Sequence, residues 1–320
     1  MPDPSSSSLS VAFIGAGGMN REHSKAFASL PGAKLAGIHS RTRGKAETLA
    51  AECGIPLVAD SIAELHEATK ADLLVIAVPE MSIRAVAEQA FQFPWTILME
   101  KPPGKDLEEA LHLESLAQKH GRTVYVGLNR RFLGSTEAVL DDIHSRNEPR
   151  FVRVEDQQSL ETARVIGHPE EIVQRWMYAN SIHLMDYLRS LCRGSVKKIT
   201  PITPWRPDAP SYVLAAVEFD SGDVGLYEST WNGPGPWTVT VNTPGRRWEL
   251  RPLEQAKFIN AGERALNEVP QTDNDKSFKP GFRRQAEEVL KALRGVPNRA
   301  PTLASAIETM RLISTIFQVA

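Results

Sequence analysis

The sequence predicts an α/β protein in which a doubly wound parallel sheet of the Rossmann type precedes an α+β domain with a large open, mainly antiparallel sheet. From Val11 to Val126, apolar strand-like runs alternate with amphipathic helical stretches, the pattern of strands joined by crossover helices. Beyond Asn129 the segments lengthen and meet at tight turns, which indicates hairpins. A chain of 320 residues can bury two cores, so we expect two domains.

The first domain is predicted to span residues 9–128, after a disordered tail at 1–8. Its strands are read from runs with little polar alternation, as strands covered on both faces require: Val11–Ile14, Lys34–His39, Leu73–Val78, Thr96–Met99 and Thr123–Val126. Ser61 with Glu64, and Asp106 with Glu109, have the spacing of capping boxes at helix starts. Gly54 and Gly121 stand where helices are expected to stop.

Residues 129–320 are predicted to form the second domain, which binds substrate and mediates association. Its hairpins are Val213–Phe219 with Val224–Trp231, and Trp237–Asn242 with Arg247–Leu250. Helical stretches are expected at Val173–Leu191, Phe282–Leu293 and Leu303–Phe317. The last of these helices is a candidate to pack back on the first domain.

Composition excludes several classes of protein. A net charge of -2, with 24% charged and 42% hydrophobic residues, gives no positive excess for a nucleic-acid partner. The two cysteines, Cys53 and Cys192, lie too far apart in sequence for a metal-binding pair or a disulfide framework, so no metal is expected. The first ten residues lack the basic and apolar regions of a signal peptide, and we expect a cytoplasmic protein with no membrane partner.

The turn after the first strand is the candidate dinucleotide site. Gly15 allows a tight turn, and Gly17 lets a pyrophosphate approach the backbone. The following helix would direct its free N–H groups and positive dipole end at that anion. The predicted contacts are Gly15, Gly17, Gly18, Met19 and Asn20, with Asn20 in place of a third glycine. Taken alone, such a turn also simply joins a strand to a helix, and that alternative stays open.

The residues after the second strand favour NADP(H) over NAD(H). An NAD site usually carries an acidic residue here, whereas this chain has Ser40, Arg41 and Arg43. A hydroxyl and guanidinium groups can bind a 2′-phosphate that a carboxylate would repel. The same arginines are also typical of a solvated helix start.

The string Glu100-Lys101-Pro102-Pro103 directly follows a buried strand. A lysine at the carboxyl end of a parallel strand lies at the crevice where such sheets bind ligands. The proline after it can hold a cis bond that fixes the direction of the ammonium group. From spacing alone, a surface lysine before a proline-rich loop remains the alternative.

With these motifs the chain resembles the glucose-fructose oxidoreductase, inositol dehydrogenase and rhizopine catabolism (Gfo/Idh/MocA) family over nearly its whole length. The resemblance is carried by the glycine turn and by the strings Glu100–Pro102, Val126–Phe132, Ile182–Asp186 and Gly281–Gln285. It implies a Rossmann domain, an open-sheet domain, and NAD(P)-linked chemistry on sugars and polyols. It also implies an active-site role for Lys101 and nicotinamide contacts at Val78, Pro79 and Glu100, with Asn129 as a further cofactor contact.

The chain departs from the family where an Asp often stands four residues before the active-site His. That position holds Ala179, while His183 remains, so His183 and Lys101 are the candidate catalytic residues. Asp186 follows His183 at helical spacing and could orient it or serve a structural role. Trp176, Tyr178 and Asn180 are candidates for the substrate wall. The remaining histidines show no ligand spacing and receive no role.

Three functions remain at this stage. The leading one is an NADP(H)-dependent oxidoreductase that transfers a hydride to or from a hydroxyl or carbonyl carbon of a sugar, polyol or sugar derivative. Ala179 motivates a second, an NADPH-dependent reductase of a cyclic imine or tetrapyrrole, and a third, a non-catalytic NADP-binding sensor or scaffold. A homodimer or homotetramer is expected through an uncovered sheet face bearing Val239 and Val241.

Overall fold

The computed structural model describes residues 8–319 and has the predicted fold class, with a parallel sheet in one compact unit and a mainly antiparallel sheet in another. The predicted tail lies outside the described residues, except for Ser8. One unit comprises Met1–Asn129 and Ser277–Ile307, and the other comprises Arg130–Lys276 and Glu308–Ala320. Among residues 8–319, no helix combines the length and apolarity that a membrane crossing needs.

The first unit is a doubly wound sheet of six parallel strands in the order β3-β2-β1-β4-β5-β6. The order reverses between β1 and β4, and ligands bind at such a switch point, outside the carboxyl ends of the strands. The strands are β1 Leu9–Ile14, β2 Ala33–His39, β3 Val58–Ala59, β4 Leu73–Ile76, β5 Thr96–Met99 and β6 Val124–Val126. The crossover helices are α1 Gly18–Ala28, α2 Arg43–Cys53, α3 Ile62–Thr69, α4 Glu80–Ala90 and α5 Leu107–Lys119.

The predicted helix signals of this unit are confirmed. Ser61 and Asp106 accept hydrogen bonds from the backbone N–H groups of Glu64 and Glu109, and Gly54 ends α2 in the left-handed conformation. Two strand predictions need correction. The two-residue strand β3 was not predicted, because so short an element carries no periodicity. The fourth strand ends at Ile76 rather than Val78, since the chain turns there into the loop before α4.

The segment Ser277–Ile307 belongs to the first unit because of α11, Phe282–Leu293. This helix is strongly amphipathic and packs against α1, with Phe282, Ala286 and Val289 in the same buried cluster as Phe27 of α1. The sequence grouped this helix with the second domain by its position in the chain, whereas its apolar face is buried in the first. The predicted division between residues 128 and 129 does not include the segment Ser277–Ile307 in the first unit.

The second unit contains an eight-stranded sheet in the order β14-β13-β12-β11-β7-β10-β9-β8. All neighbours pair antiparallel except β10 and β7, which run parallel. The strands are β7 Phe151–Gln158, β8 Val196–Thr203, β9 Tyr212–Phe219, β10 Val224–Trp231, β11 Thr238–Asn242, β12 Arg246–Leu250, β13 Ala256–Asn260 and β14 Asn267–Glu268. Both predicted hairpins, β9 with β10 and β11 with β12, are confirmed.

The helices of the second unit differ from the prediction within Val173–Leu191, and those at Gly134–Arg146, Leu160–Val165 and Asp273–Ser277 were not predicted. The helix expected over Val173–Leu191 is interrupted: a short helix ends at Val173, a π-helical turn covers Met177–Ser181, and α9 runs over Ile182–Leu191. The other helices of the chain are α6 Gly134–Arg146, α7 Leu160–Val165, α8 Glu170–Val173, α10 Asp273–Ser277 and α12 Leu303–Phe317, with a 3-10 turn at Asn129–Phe132. The division between the units falls within α12.

One expectation about the second sheet is wrong. Val239 and Val241 were predicted to lie on an uncovered face, but both are fully buried. They pair with Val154 and Val152 of β7, which are also fully buried, on the face that α9 covers. Alternation alone shows that a strand has two faces but not which of them a helix covers.

Candidate dinucleotide site

A cavity of about 850 Å³ opens at the carboxyl end of the parallel sheet, at the switch point between β1 and β4. It is lined by the glycine turn, the loop after β2, the loop after β4 and the end of β5. The predicted cofactor residues that line it are Gly15, Gly17, Gly18, Met19, Ser40, Arg41, Arg43, Val78, Pro79 and Glu100, and Lys101 lines it as well. Asn20 and Asn129 do not.

The glycine turn leaves space where a pyrophosphate would need it. Gly15 has a φ of +101°, and a Cβ there would lie 2.1 Å from the carbonyl oxygen of Ala77, so only glycine fits. A Cβ on Gly17 or Gly18 would meet nothing within 4 Å, so both face open space. Gly17 precedes α1 and provides no side-chain cap, which leaves the first N–H groups of the helix available to an anion.

Asn20 stabilises the glycine turn through buried hydrogen bonds and does not line the cavity. It is fully buried, and its Nδ2 donates to the carbonyl oxygens of Ile14, at 2.8 Å, and Gly15, at 2.7 Å. The side chain therefore ties α1 to the end of β1, where a third glycine would only permit close packing. Its assignment as a cofactor contact stays a prediction.

The loop after β2 brings cationic groups to the cavity wall. Arg41 is exposed, and the Ser40 hydroxyl accepts from the backbone N–H of Thr42 at 3.4 Å. Arg43 is engaged differently, because its guanidinium donates to Glu47, with 2.8 Å between Nε and Oε1, and also to Asp60. Asp60 itself lines the cavity. This carboxylate follows β3 rather than β2, and the motif after β2 gave no sign of it in the sequence.

The end of β5 is fixed by a buried pair that the sequence did not reveal. His23 Nε2 lies 2.7 Å from Glu100 Oε1, and the two side chains are 0% and 9% exposed. The His23 ring also packs against Phe282, with 4.7 Å between the ring centroids. His23 was given no role in the sequence, although it lies one helical turn beyond Asn20 on the inner face of α1. This contact fixes the Glu100 side chain, and Glu100 lines the cavity.

Lys101 follows Glu100 and is half-buried at the cavity wall. The peptide bond from Lys101 to Pro102 is cis, as the sequence allowed. Lys101 lies on the wall that Val78, Pro79 and Glu100 also line. Asn129, by contrast, is buried and donates its Nδ2 to the carbonyl oxygen of Pro280 at 3.0 Å, so its cofactor role stays a prediction.

His183 lies in the second unit, at the start of α9, and is half-buried. Its ring centroid lies 6.4 Å from that of Trp237, whose indole N–H donates to the carbonyl oxygen of Gln157 at 2.7 Å. The guanidinium of Arg130 lies 5.1 Å from the Trp237 ring centroid and pairs with Glu254. Neither Trp237 nor Arg130 was predicted as a site residue. The one available signal was that Arg130 lies within the string Val126–Phe132, which carries the family resemblance.

A buried polar network supports the π-helical turn before His183. Gln158 Oε1 accepts from Trp176 Nε1 at 2.9 Å and from Asn180 Nδ2 at 2.8 Å. Gln158 Nε2 donates to Asp156 Oδ1 at 2.5 Å, and the Tyr227 hydroxyl donates to Asp156 Oδ2 at 2.7 Å. Burial raises the pKa of Asp156, against the opposing effect of these hydrogen bonds. π-helical turns are frequent at functional sites.

The other predicted residues of this region are engaged as follows. Tyr178 is fully buried and Trp176 nearly so, whereas Asn180 is half-buried; their roles in a substrate wall stay predictions. Asp186 accepts two hydrogen bonds of 2.6 Å from Arg131 and one of 2.9 Å from Thr309. These contacts favour the structural role for Asp186.

No metal site is found among residues 8–319, since no group of three or more His, Cys, Asp or Glu side chains is placed to hold an ion. The fold and the cavity define a class of protein. An open Rossmann sheet with a glycine turn, an uncapped helix N-terminus and a large cavity at the switch point is the arrangement of dinucleotide-binding proteins.

Comparison with known proteins finds a family model that is similar to the first domain of this chain. Residues 9–128 match GFO_IDH_MocA, described as "Oxidoreductase family, NAD-binding Rossmann fold". The match covers the predicted Rossmann domain, and the resemblance and the oxidoreductase class predicted from the sequence are confirmed over these residues.

Two curated proteins are similar to this chain in sequence, and a solved structure is similar to it in fold. The chain is 26% identical over 238 residues to scyllo-inositol 2-dehydrogenase (NAD(+)) of Bacillus subtilis (strain 168), covering 70% of this chain and 67% of that protein. It is 29% identical over 123 residues to glucose-6-phosphate 3-dehydrogenase of the same organism, a match that covers 38% of this chain and only 34% of that protein. UDP-N-acetylglucosamine 3-dehydrogenase from Acidithiobacillus ferrooxidans has the same fold, with a TM-score of 0.77 at 18% identity, covering 98% of this chain and 97% of that chain.

Proposed function

We propose that this chain is an NADP(H)-dependent oxidoreductase that transfers a hydride to or from a hydroxyl or carbonyl carbon of a sugar, polyol or sugar derivative. The observation that carries the proposal is the single cavity that brings together the glycine turn, Ser40 with Arg41, and Lys101. A 2′-phosphate site, a pyrophosphate site and a cationic reacting group would then follow one another along one dinucleotide.

The residues present fit this cofactor. The open space at Gly17 and Gly18, with the uncapped N-terminus of α1, suits a pyrophosphate. Ser40 and the exposed guanidinium of Arg41 suit a 2′-phosphate. Val78, Pro79 and Glu100 would border the nicotinamide, as the family resemblance implies. When bound, the nicotinamide supplies the donor or acceptor of the hydride.

The residues of the chain would bind and orient the substrate and would move a proton. The Lys101 ammonium would stabilise negative charge on the reacting oxygen or hold its proton. His183 would donate or accept the proton in place of the acid/base pair that Ala179 interrupts. In the second unit, the network of Asp156 and Gln158 would hold the Asn180 amide in one orientation.

The substrate class rests on the relatives. Two of them are named as dehydrogenases of an inositol and of a glucose phosphate, which supports a carbohydrate-like substrate for this chain. The inositol enzyme is named for NAD(+), so the preference for NADP(H) rests on the loop after β2 alone.

A substrate screen tests the proposal. Ketosugars, polyols and cyclic imines are offered with NADPH or NADP⁺, and nucleotide oxidation or reduction is followed by absorbance. Turnover of ketosugars or polyols is expected. Activity confined to imines would replace the proposed substrate class, and nucleotide binding without turnover of any substrate would leave a sensor or scaffold.

Lys101→Met tests the assigned chemistry. The change should lower kcat by roughly 10²- to 10⁴-fold, the range for a positioned proton-transfer group, while the nucleotide still binds. The exposed Lys119, at the end of α5, provides the control, and Lys119→Met should behave as the wild type. Unchanged kcat in Lys101→Met would contradict the mechanism.

We also propose association into a homodimer or homotetramer through the face of the second sheet that α9 does not cover. Phe151 and Val224, which are paired neighbours, are 41% and 39% exposed. Together with half-buried Leu226 they form a small apolar patch of the kind that oligomers bury.

A further inference from the structure

Asp60 adds a carboxylate to the wall of the cavity where the 2′-phosphate of NADP(H) is proposed to bind. It follows β3, whose Val58 and Ala59 pair with Ile38 and His39 at the end of β2. The two strand ends therefore lie side by side, and Asp60 lines the same cavity as Ser40 and Arg41. Its side chain is 69% exposed.

Asp60 also engages one of the two predicted phosphate-binding arginines. The Arg43 guanidinium donates to Asp60 and to Glu47, so two carboxylates compensate its charge. Arg41 has no ion pair among residues 8–319. The positive charge most available to a phosphate is thus that of Arg41 rather than of Arg43.

We propose that Asp60 is a specificity-determining residue that limits the preference for NADP(H) over NAD(H), an inference that rests on the proposed function of this site. A 2′-phosphate carries up to two negative charges, and the Asp60 carboxylate on the same wall repels it. A carboxylate in this region also suits a ribose 2′-hydroxyl, which can donate to it as to the acidic residue of an NAD site. Both effects favour NAD(H), and solvent screening keeps them modest at an exposed position.

A pair of substitutions separates the effect of the Asp60 charge on the cavity wall from the effect of releasing Arg43. Asp60→Asn removes the charge from the cavity wall and keeps the side-chain shape. Glu47→Gln removes the other carboxylate partner of Arg43, which does not line the cavity. Dissociation constants for NADPH and NADH are measured by fluorescence titration for both variants and the wild type, at low and high salt.

Asp60→Asn should raise the ratio of the NADH to the NADPH dissociation constant by about 3- to 10-fold at low salt and by less at high salt. Glu47→Gln should leave this ratio within about twofold of the wild type, since the charge it removes lies off the wall. An unchanged or lowered ratio in Asp60→Asn, or an equal rise in Glu47→Gln, would overturn the inference.

The outcomes also distinguish this inference from the proposed function. If the wild type binds both nucleotides and Asp60→Asn leaves their ratio unchanged, only the role of Asp60 is lost. If the wild type binds neither nucleotide, the proposed function fails and the role of Asp60 fails with it.

Discussion

Gly15 and Gly17 stand two residues apart in one turn and yet depend on glycine for different reasons. At Gly15 the backbone conformation and the Ala77 carbonyl oxygen exclude a side chain, so the folded turn itself requires glycine. At Gly17 the φ of -96° suits any residue and the space beside it is open. A side chain at Gly17 would therefore clash only with a bound ligand.

The pair of variants Gly15→Ala and Gly17→Ala uses this difference. Gly15→Ala should lower the melting temperature, because its Cβ clashes with the backbone at a positive φ. Gly17→Ala should keep the wild-type melting temperature but weaken nucleotide binding by about tenfold or more, since its Cβ occupies the pyrophosphate site. Thermal unfolding and nucleotide titration of both proteins provide the measurement. Wild-type nucleotide affinity in Gly17→Ala would place the dinucleotide elsewhere.

Asp156 makes stability depend on pH. Because its folded-state pKa is raised above the unfolded value, it favours folding fully below the unfolded pKa. This contribution is lost as the pH rises through the folded-state pKa, where the buried carboxyl must ionise. Asp156→Asn removes that ionisation, and the Tyr227 hydroxyl can accept a hydrogen bond as well as donate one.

Asp156→Asn should therefore gain stability relative to the wild type as the pH rises. Urea unfolding at about pH 5 and about pH 8 gives the free energy of unfolding at each pH. The exposed Asp208 provides the control, since Asp208→Asn should follow the pH dependence of the wild type. A difference between Asp156→Asn and the wild type that shrinks with rising pH would refute the assignment.

At the scale of elements, the His23 and Glu100 pair ties α1, which begins at the glycine turn, to the end of β5, which leads into Lys101. The two walls of the cavity are thereby held by one buried hydrogen bond. Removing its donor or acceptor leaves a polar group buried without its partner, which is more costly than losing a hydrogen bond at the surface.

His23→Ala should lower the free energy of unfolding by about 1–3 kcal/mol. The surface histidine His112, which pairs with Glu88 on exposed helices, offers the comparison, and His112→Ala should cost less than about 1 kcal/mol. Chemical denaturation of both variants measures these values. Equal costs would mean that the buried pair does not contribute to holding the two elements.

Elements with a strong local signal were predictable from the sequence, and those defined by distant contacts were not. The capped helices, the apolar strands and both hairpins carry their own periodicity and turn residues. Strand β3 is too short to show a pattern, and the interruption at Met177–Ser181 lies inside an otherwise helical stretch. The packing of α11 in the first unit depends on the surface of α1, which no pattern within α11 specifies.

The same holds for the site. The glycine turn, Ser40 with Arg41, and Lys101 were predictable because each follows a recognisable strand. Asp60 and His23 were missed, because their importance comes from a neighbouring strand and a facing helix rather than from spacing in the sequence.

For the whole molecule, association through the second sheet gives a direct test. Leu226→Glu would place a charge in the apolar patch with Phe151 and Val224 and should shift the protein to monomers in analytical ultracentrifugation. Val165 is 80% exposed on α7, outside the sheet, and Val165→Glu should leave the assembly unchanged. A wild-type protein that sediments as a monomer would contradict the proposed association.

The most direct test of the proposed function is a titration of the wild-type protein with NADPH and with NADH, repeated on Arg41→Ala. The arrangement of Ser40 and Arg41 on the cavity wall predicts that NADPH binds more tightly than NADH and that Arg41→Ala removes most of the difference. Equal affinity of the wild type for the two nucleotides, or an Arg41→Ala variant that keeps the wild-type preference, would contradict it.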